Sequence, residues 1–258
     1  MNMRGKAITS KDPYQFDTDH NGFPVFSQKN LRFILALIEN DSNYRIDFDT
    51  TAKDSMAEYL YEHFPDSKEE LRSAVKLIDK ENSTHLSVKG GIDATVDEIM
   101  GIGLDKVKIW IQNGNVELVN MLAKAIPDRL NFSFATKFCT YCNRYCFGGD
   151  DYAIFDDVVA KIMPYYAYVY LGERHWKEIR GKNTRNESTI REEFAAKLDY
   201  AGYNELVGRI INAAKQQSDT DITRADFDRL LWYYYKGIPD RIKKANACLG
   251  KEECRILV

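Results

Sequence analysis

The sequence predicts a mainly α protein of 258 residues. Three observations carry that prediction. Apolar residues recur at i, i+3, i+4 and i+7 through most of the chain. Hydroxyl residues stand three places before an acid at several candidate helix starts. Alternating strand-like sequence is confined to Tyr44–Asp49, six residues with no evident partner.

The elements follow in order. Residues 1–24 form a flexible segment of turn-formers, Lys11-Asp-Pro and Asp17-Thr-Asp-His-Asn-Gly, without a periodic apolar face. A helical domain then spans 25–258. Leu31, Ile34, Leu35 and Ile38 mark its first helix. The boxes Ser55-Met-Ala-Glu58 and Ser67-Lys-Glu-Glu70 open the next two, the second carrying Leu71, Ala74, Val75 and Ile78. Gly90-Gly91 breaks the chain. Short helices are expected at 93–101, 104–113 and 115–126, then a long one capped by Ser133, and a short one after Asp156. Pro164 is expected to open or kink the next apolar run. Residues 172–191 read as a basic loop, Thr189-Ile-Arg-Glu192 caps a helix to about 216, and Thr223-Arg-Ala-Asp226 caps another that ends at Gly237-Ile-Pro239.

Composition excludes several classes. There are 36 basic and 39 acidic residues, a formal charge of −3, so binding of nucleic acid by bulk charge is not expected. Hydrophobic residues make up 44% and aromatic residues 12%, too many for a disordered chain. No run approaches 18 apolar residues, and no apolar secretory core follows Met1, which reads as a cytoplasmic protein with no membrane partner. Five cysteines, an odd number in a chain of this length, fit reduced thiols.

Phosphate loops, dinucleotide fingerprints, zinc-protease and serine-hydrolase motifs are absent. Cys139, Cys142 and Cys146 stand at i, i+3 and i+7. That spacing suits a buried helical stripe better than a metal site, so no metal or other cofactor is expected. Lys137 stands one turn into the helix expected after Ser133, among Phe134, Phe138 and Tyr141. Positive dipole charge at a helix start favours the neutral, nucleophilic form of a lysine. Asp156 fits the N-cap of the following helix.

The stretch Phe134-Ala-Thr-Lys137-Phe-Cys139, with Ala153-Ile-Phe-Asp156-Asp-Val-Val159 following, resembles the helix–hairpin–helix DNA glycosylase superfamily, and within it the 8-oxoguanine DNA glycosylase-like proteins. Asp156 follows Lys137 by nineteen residues, which matches the family's spacing of about twenty. The resemblance is clearest over 105–171 and returns at Phe227-Asp-Arg-Leu-Leu-Trp-Tyr. It departs at the hairpin, where Leu130-Asn-Phe-Ser133 has no glycine, and at Ala153, which replaces the usual proline. It implies two helical lobes sharing a cleft, a damaged or modified DNA duplex as partner, and Lys137 and Asp156 as the catalytic pair of a base-excising glycosylase, with strand cleavage by a Schiff base as a possible second activity. It also implies a base pocket walled by Phe134, Phe138 and Tyr141, with Phe132 nearby. Arg174, Lys177, Arg180, Lys182 and Arg185, flanking Trp176, are the expected DNA contacts. The alternative is a non-catalytic helical module that retains the fold and binds nucleic acid or protein.

Overall fold

The computed structural model describes residues 15–40, 59–61, 63–82, 84–87, 90–127, 129–173 and 187–249, with side chains other than those of 39, 40 and 187–199. Among the described residues the fold is helical, with no strands beyond the isolated bridges Thr18–Pro24 and Ile126–Arg129. None of these helices is long and apolar enough to cross a membrane. The candidate strand Tyr44–Asp49 and the box Ser55–Glu58 lie outside the described residues, as do Arg174, Lys177, Arg180, Lys182 and Arg185.

The described chain divides into two compact units. One is built from residues 59–155, the other from 15–40 together with 156–249.

In the first unit, α2 (Lys68–Asn82) buries Leu71, Ala74, Val75 and Ile78, the stripe its spacing predicts. Its start is a capping box with a shifted return. Ser67 Oγ accepts from Glu70 N at 3.3 Å, but the Glu70 carboxylate takes the Asp66 N–H at 3.1 Å and pairs with His63. α3 (Gly91–Ile102), α4 (Leu104–Gln112) and α5 (Glu117–Ala123) follow as short helices. α6 (Phe132–Tyr141) continues into a wider π turn, Cys142–Cys146. Its cap is Asn131, not Ser133. The Asn131 carboxamide accepts from Phe134 N, and the Ser133 hydroxyl instead accepts from Lys137.

In the second unit, α7 (Asp157–Leu171) runs unbroken through Pro164. The short helix expected before Pro164 and the run after it are one element. Proline removes one N–H and crowds the preceding turn, yet Ile162, Met163, Tyr165 and Tyr166 around it are all buried, and that packing holds the helix together. α1 (Gln28–Asn40), α8 (Glu187–Ser218), α9 (Arg224–Tyr235) and α10 (Pro239–Cys248) complete the unit. α8 begins at Glu187, so Thr189 lies within it and is not its cap. Thr223 and Asp226 form the reciprocal capping box of α9. Pro239 starts α10 at a position where its missing N–H costs nothing.

Of the segment 1–24, residues 15–24 are non-helical but firmly held. Asn30, wholly buried, donates to the carbonyls of Asp17 at 2.8 Å and Val25 at 2.7 Å and accepts from Asp17 N. Three tyrosines of α7 grip the same strap. Tyr170 Oη accepts from Phe26 N at 3.0 Å, Tyr166 Oη donates to the Pro24 carbonyl at 2.8 Å, and Tyr165 Oη donates to the Asp19 carboxylate. Phe23 and Phe26 are thereby delivered to the core. The looseness expected of 15–24 is corrected by these contacts, made by Asn30 nearby and by tyrosines some 140 residues away in sequence.

Candidate functional site

Lys137 is the sixth residue of α6 and is only 7% exposed. Its Nζ donates to Ser133 Oγ, one turn back, at 3.4 Å. A lysine is almost never enclosed to this degree without a specific environment. The neighbouring Thr136 is fully buried. Its hydroxyl donates to the Phe132 carbonyl at 2.8 Å, the ordinary i−4 bond of a helical threonine, and accepts from Phe155 N at 3.1 Å. The residue before Lys137 is therefore hydrogen-bonded to the residue before Asp156.

The loop that delivers Phe155 is pinned at its other end. Asn143, in the π turn, donates through Nδ2 to the Ile111 carbonyl and to Asp151 Oδ2, both at 2.9 Å, and its Oδ1 accepts from Asp151 N. Asn143 leaves no room for a side chain at 149. A Cβ on Gly149 would fall 2.5 Å from its Oδ1, so only glycine fits. Farther along, the Tyr152 hydroxyl donates to the carbonyls of Trp110 and Asn115 at 3.1 Å.

Asp156 caps α7 with extended backbone. Its Oδ1 accepts from Val158 N at 2.9 Å and Val159 N at 3.1 Å, and the residue is 4% exposed. The N-cap role read from the sequence is what the geometry gives. Asp157 turns outward to an ion pair with Lys161 at 2.9 Å.

Within the second unit Asp156 belongs to a polar neighbourhood that sequence reasoning missed. Burial pushes the Tyr203 hydroxyl well above the usual phenol range, and Tyr200, Asp228 and Asp156 add to it, while Arg224 opposes. Arg224 is oriented by Asn204, whose Oδ1 accepts from its Nε at 3.1 Å. Gly208 lies against the same guanidinium, where a Cβ would sit 3.3 Å from Nη2. Tyr203, Asn204 and Gly208 lie on α8, and Arg224 and Asp228 on α9. No local motif unites them; only the packing of the two helices does.

Phe134, Phe138 and Tyr141 are enclosed, none more than 1% exposed. The rings of Phe134 and Phe138 stack at 6.0 Å, and Tyr141 Oη donates to Asn82 Oδ1 at 2.8 Å. In this structure they pack the interior, and Phe132, partly exposed and edge-on to Phe155, is the aromatic of that group nearest solvent. Cys139 and Cys142 are buried, and desolvation pushes both thiols up, so they behave as small apolar side chains. Among the described residues no three His, Cys, Asp or Glu side chains group as metal ligands would.

Compared with protein-family models, curated proteins and solved structures, the chain matches none.

Proposed function

We propose that the chain is a DNA glycosylase-like protein that excises a damaged or modified base with Lys137 and Asp156. In this reading the base is flipped out of the duplex. Asp156 stabilises positive charge as the glycosidic bond breaks. Lys137 attacks the anomeric carbon and gives up a proton, and the base departs with the bonding electrons and takes up a proton. The aminal so formed opens its C1′–O4′ bond to a Schiff base, which permits β-elimination of the 3′ phosphate.

One observation supports it above the rest. An enclosed lysine and an enclosed N-cap aspartate stand at the family spacing, each directly following one member of the Thr136–Phe155 hydrogen bond.

The test is incubation with duplexes carrying 8-oxoguanine and a panel of other lesions, with borohydride present. The expected result is a trapped protein–DNA adduct that Lys137→Gln abolishes. Absence of both excision and adduct across the panel overturns the reading.

A second reading, a non-catalytic module of the same fold, draws on the cap of α6. Where the family's glycine hairpin would offer backbone amides to a phosphate, Asn131 spends its carboxamide on Phe134 N. Salt-dependent DNA binding without product, unchanged by Lys137→Ala, would select it.

A further inference from the structure

The C-terminal turn of α9 and the helix α10 carry a concentration of positive charge that the −3 of the whole chain conceals. Residues 232–249 contain Lys236, Arg241, Lys243 and Lys244 against the single acid Asp240, a balance of +3, which leaves −6 for the rest. The charge is exposed. Asp240, Lys243, Lys244 and Ala247 follow at i, i+3, i+4 and i+7, and all four are exposed, so they form the outer stripe of α10. The one acid offsets little, because Asp240 and Lys243 approach only to 3.9 Å, at 82% and 75% side-chain exposure.

Aromatic rings are interleaved with these cations. Lys236 Nζ lies 5.5 Å from the Trp232 ring centre, and the Arg241 guanidinium lies 4.1 Å from that of Tyr234. Arg241 is fixed further by donating to the Tyr234 carbonyl at 2.7 Å. Both rings are partly exposed. Arg241 is thus held in place before any partner arrives, which lowers the ordering cost of binding. Cations held beside partly exposed aromatics suit a phosphodiester backbone with its bases alongside, since phosphates take the charge and base faces take the rings. A stripe of lysines alone would favour no polyanion over another; the rings beside the cations favour nucleic acid, and anionic lipid is the alternative that the test must separate.

We propose that the Trp232–Lys244 surface is a nucleic-acid contact, with Lys236, Lys243 and Lys244 on backbone phosphates and Arg241 and Trp232 beside the bases. It rests on the reading of the chain as directed at nucleic acid, and it requires nothing of Lys137 or Asp156.

The test is fluorescence anisotropy of the full chain with a labelled 20-nucleotide single strand and the matching duplex, across a salt series. Each phosphate contact contributes about 0.9 to the slope of log K against log salt for duplex and about 0.7 for single strand. Joint replacement of Lys236, Lys243 and Lys244 by Gln is expected to lower the slope by about 2–3 and to weaken binding at least tenfold at low salt. A control with the same charge change elsewhere, Lys76, Lys80 and Lys108 to Gln, separates local contact from bulk charge. The variants replace exposed side chains only, and unchanged helical circular dichroism verifies that each is folded. A slope lowered by the first set and not by the control supports the proposal, and the preferred strand type identifies the ligand. Equal effects of both sets, no effect of either, or no binding overturn it, as does attachment to anionic lipid vesicles without binding of either oligonucleotide. The catalytic reading fails separately: patch-dependent binding without excision removes that reading and leaves the surface, while excision with patch-independent binding removes the surface alone.

Discussion

Asp156 carries two jobs that different substitutions separate. Its Oδ1 satisfies two first-turn N–H groups of α7, and its charge is what the proposed chemistry uses. Asparagine is as good an N-cap as aspartate, whereas alanine provides no acceptor. Asp156→Asn is therefore expected to keep the thermal midpoint within about 1 °C while abolishing excision. Asp156→Ala should lose the cap as well, about 0.5–2 kcal/mol, visible as a fall of a few degrees. Equal loss of stability in both would show that the charge, not the cap, holds the helix. Thr136 gives a second case. Valine matches its shape but cannot accept from Phe155 N, and the loss of a partner for a buried N–H costs about 1–3 kcal/mol. Thr136→Val is expected to destabilise by that amount in urea unfolding, and Thr136→Ser to restore most of it. Both residues were legible to different degrees. Asp156 announced itself as a cap because the signal is local. Thr136 looked like any helical threonine, since its partner arrives from 19 residues away.

The same contrast governs the elements. Helices of the first unit could be read closely because each carries its own apolar stripe, and Leu71, Ala74, Val75 and Ile78 are buried as spaced. α7 could not, because a proline that ends an isolated helix is tolerated where packing holds the turn on both sides. The strap at 15–27 was missed for a related reason: its hydrogen bonds go to Asn30 and to tyrosines of α7, and sequence patterning sees no such partner. That strap makes a pH prediction. The Asp17 carboxylate accepts from Ser27 Oγ at 2.7 Å and pairs with Lys29 at 3.0 Å; the Ser27 bond first, and Lys29 second, hold it below its ordinary value near 3.8. A depressed carboxylate stabilises the fold above its unfolded value and loses that contribution as pH falls through the folded one. Loosening of the strap is accordingly expected only below about pH 4, with no change between pH 6 and 8. Limited proteolysis near residues 15–27 checks it, and Asp17→Asn should remove the acid step while lowering protection at neutral pH.

At the scale of the molecule, the two units differ in how the chain builds them. Among the described residues the first is continuous in sequence, 59–155, while the second joins 15–40 to 156–249. The second unit therefore closes its core only when distant segments meet. Phe23, Phe26, Leu31, Ile34 and Ile38 come from the early segment, and the Phe26 ring stacks on Phe227 of α9 at 5.2 Å. Removing five buried apolar side chains forfeits about 1.5–3 kcal/mol each, a total comparable with the whole stability of a domain. It also strips Tyr166 and Tyr170 of the backbone groups they bind. Residues 156–258 alone are thus expected to be loosely packed, with helical far-ultraviolet dichroism but little dispersion in amide NMR spectra. Adding residues 1–44 as a separate peptide should restore dispersion in a saturable manner, and a peptide with Phe26→Ala and Ile34→Ala should not. A well-dispersed spectrum from 156–258 without the peptide would show that the early segment decorates a core already complete.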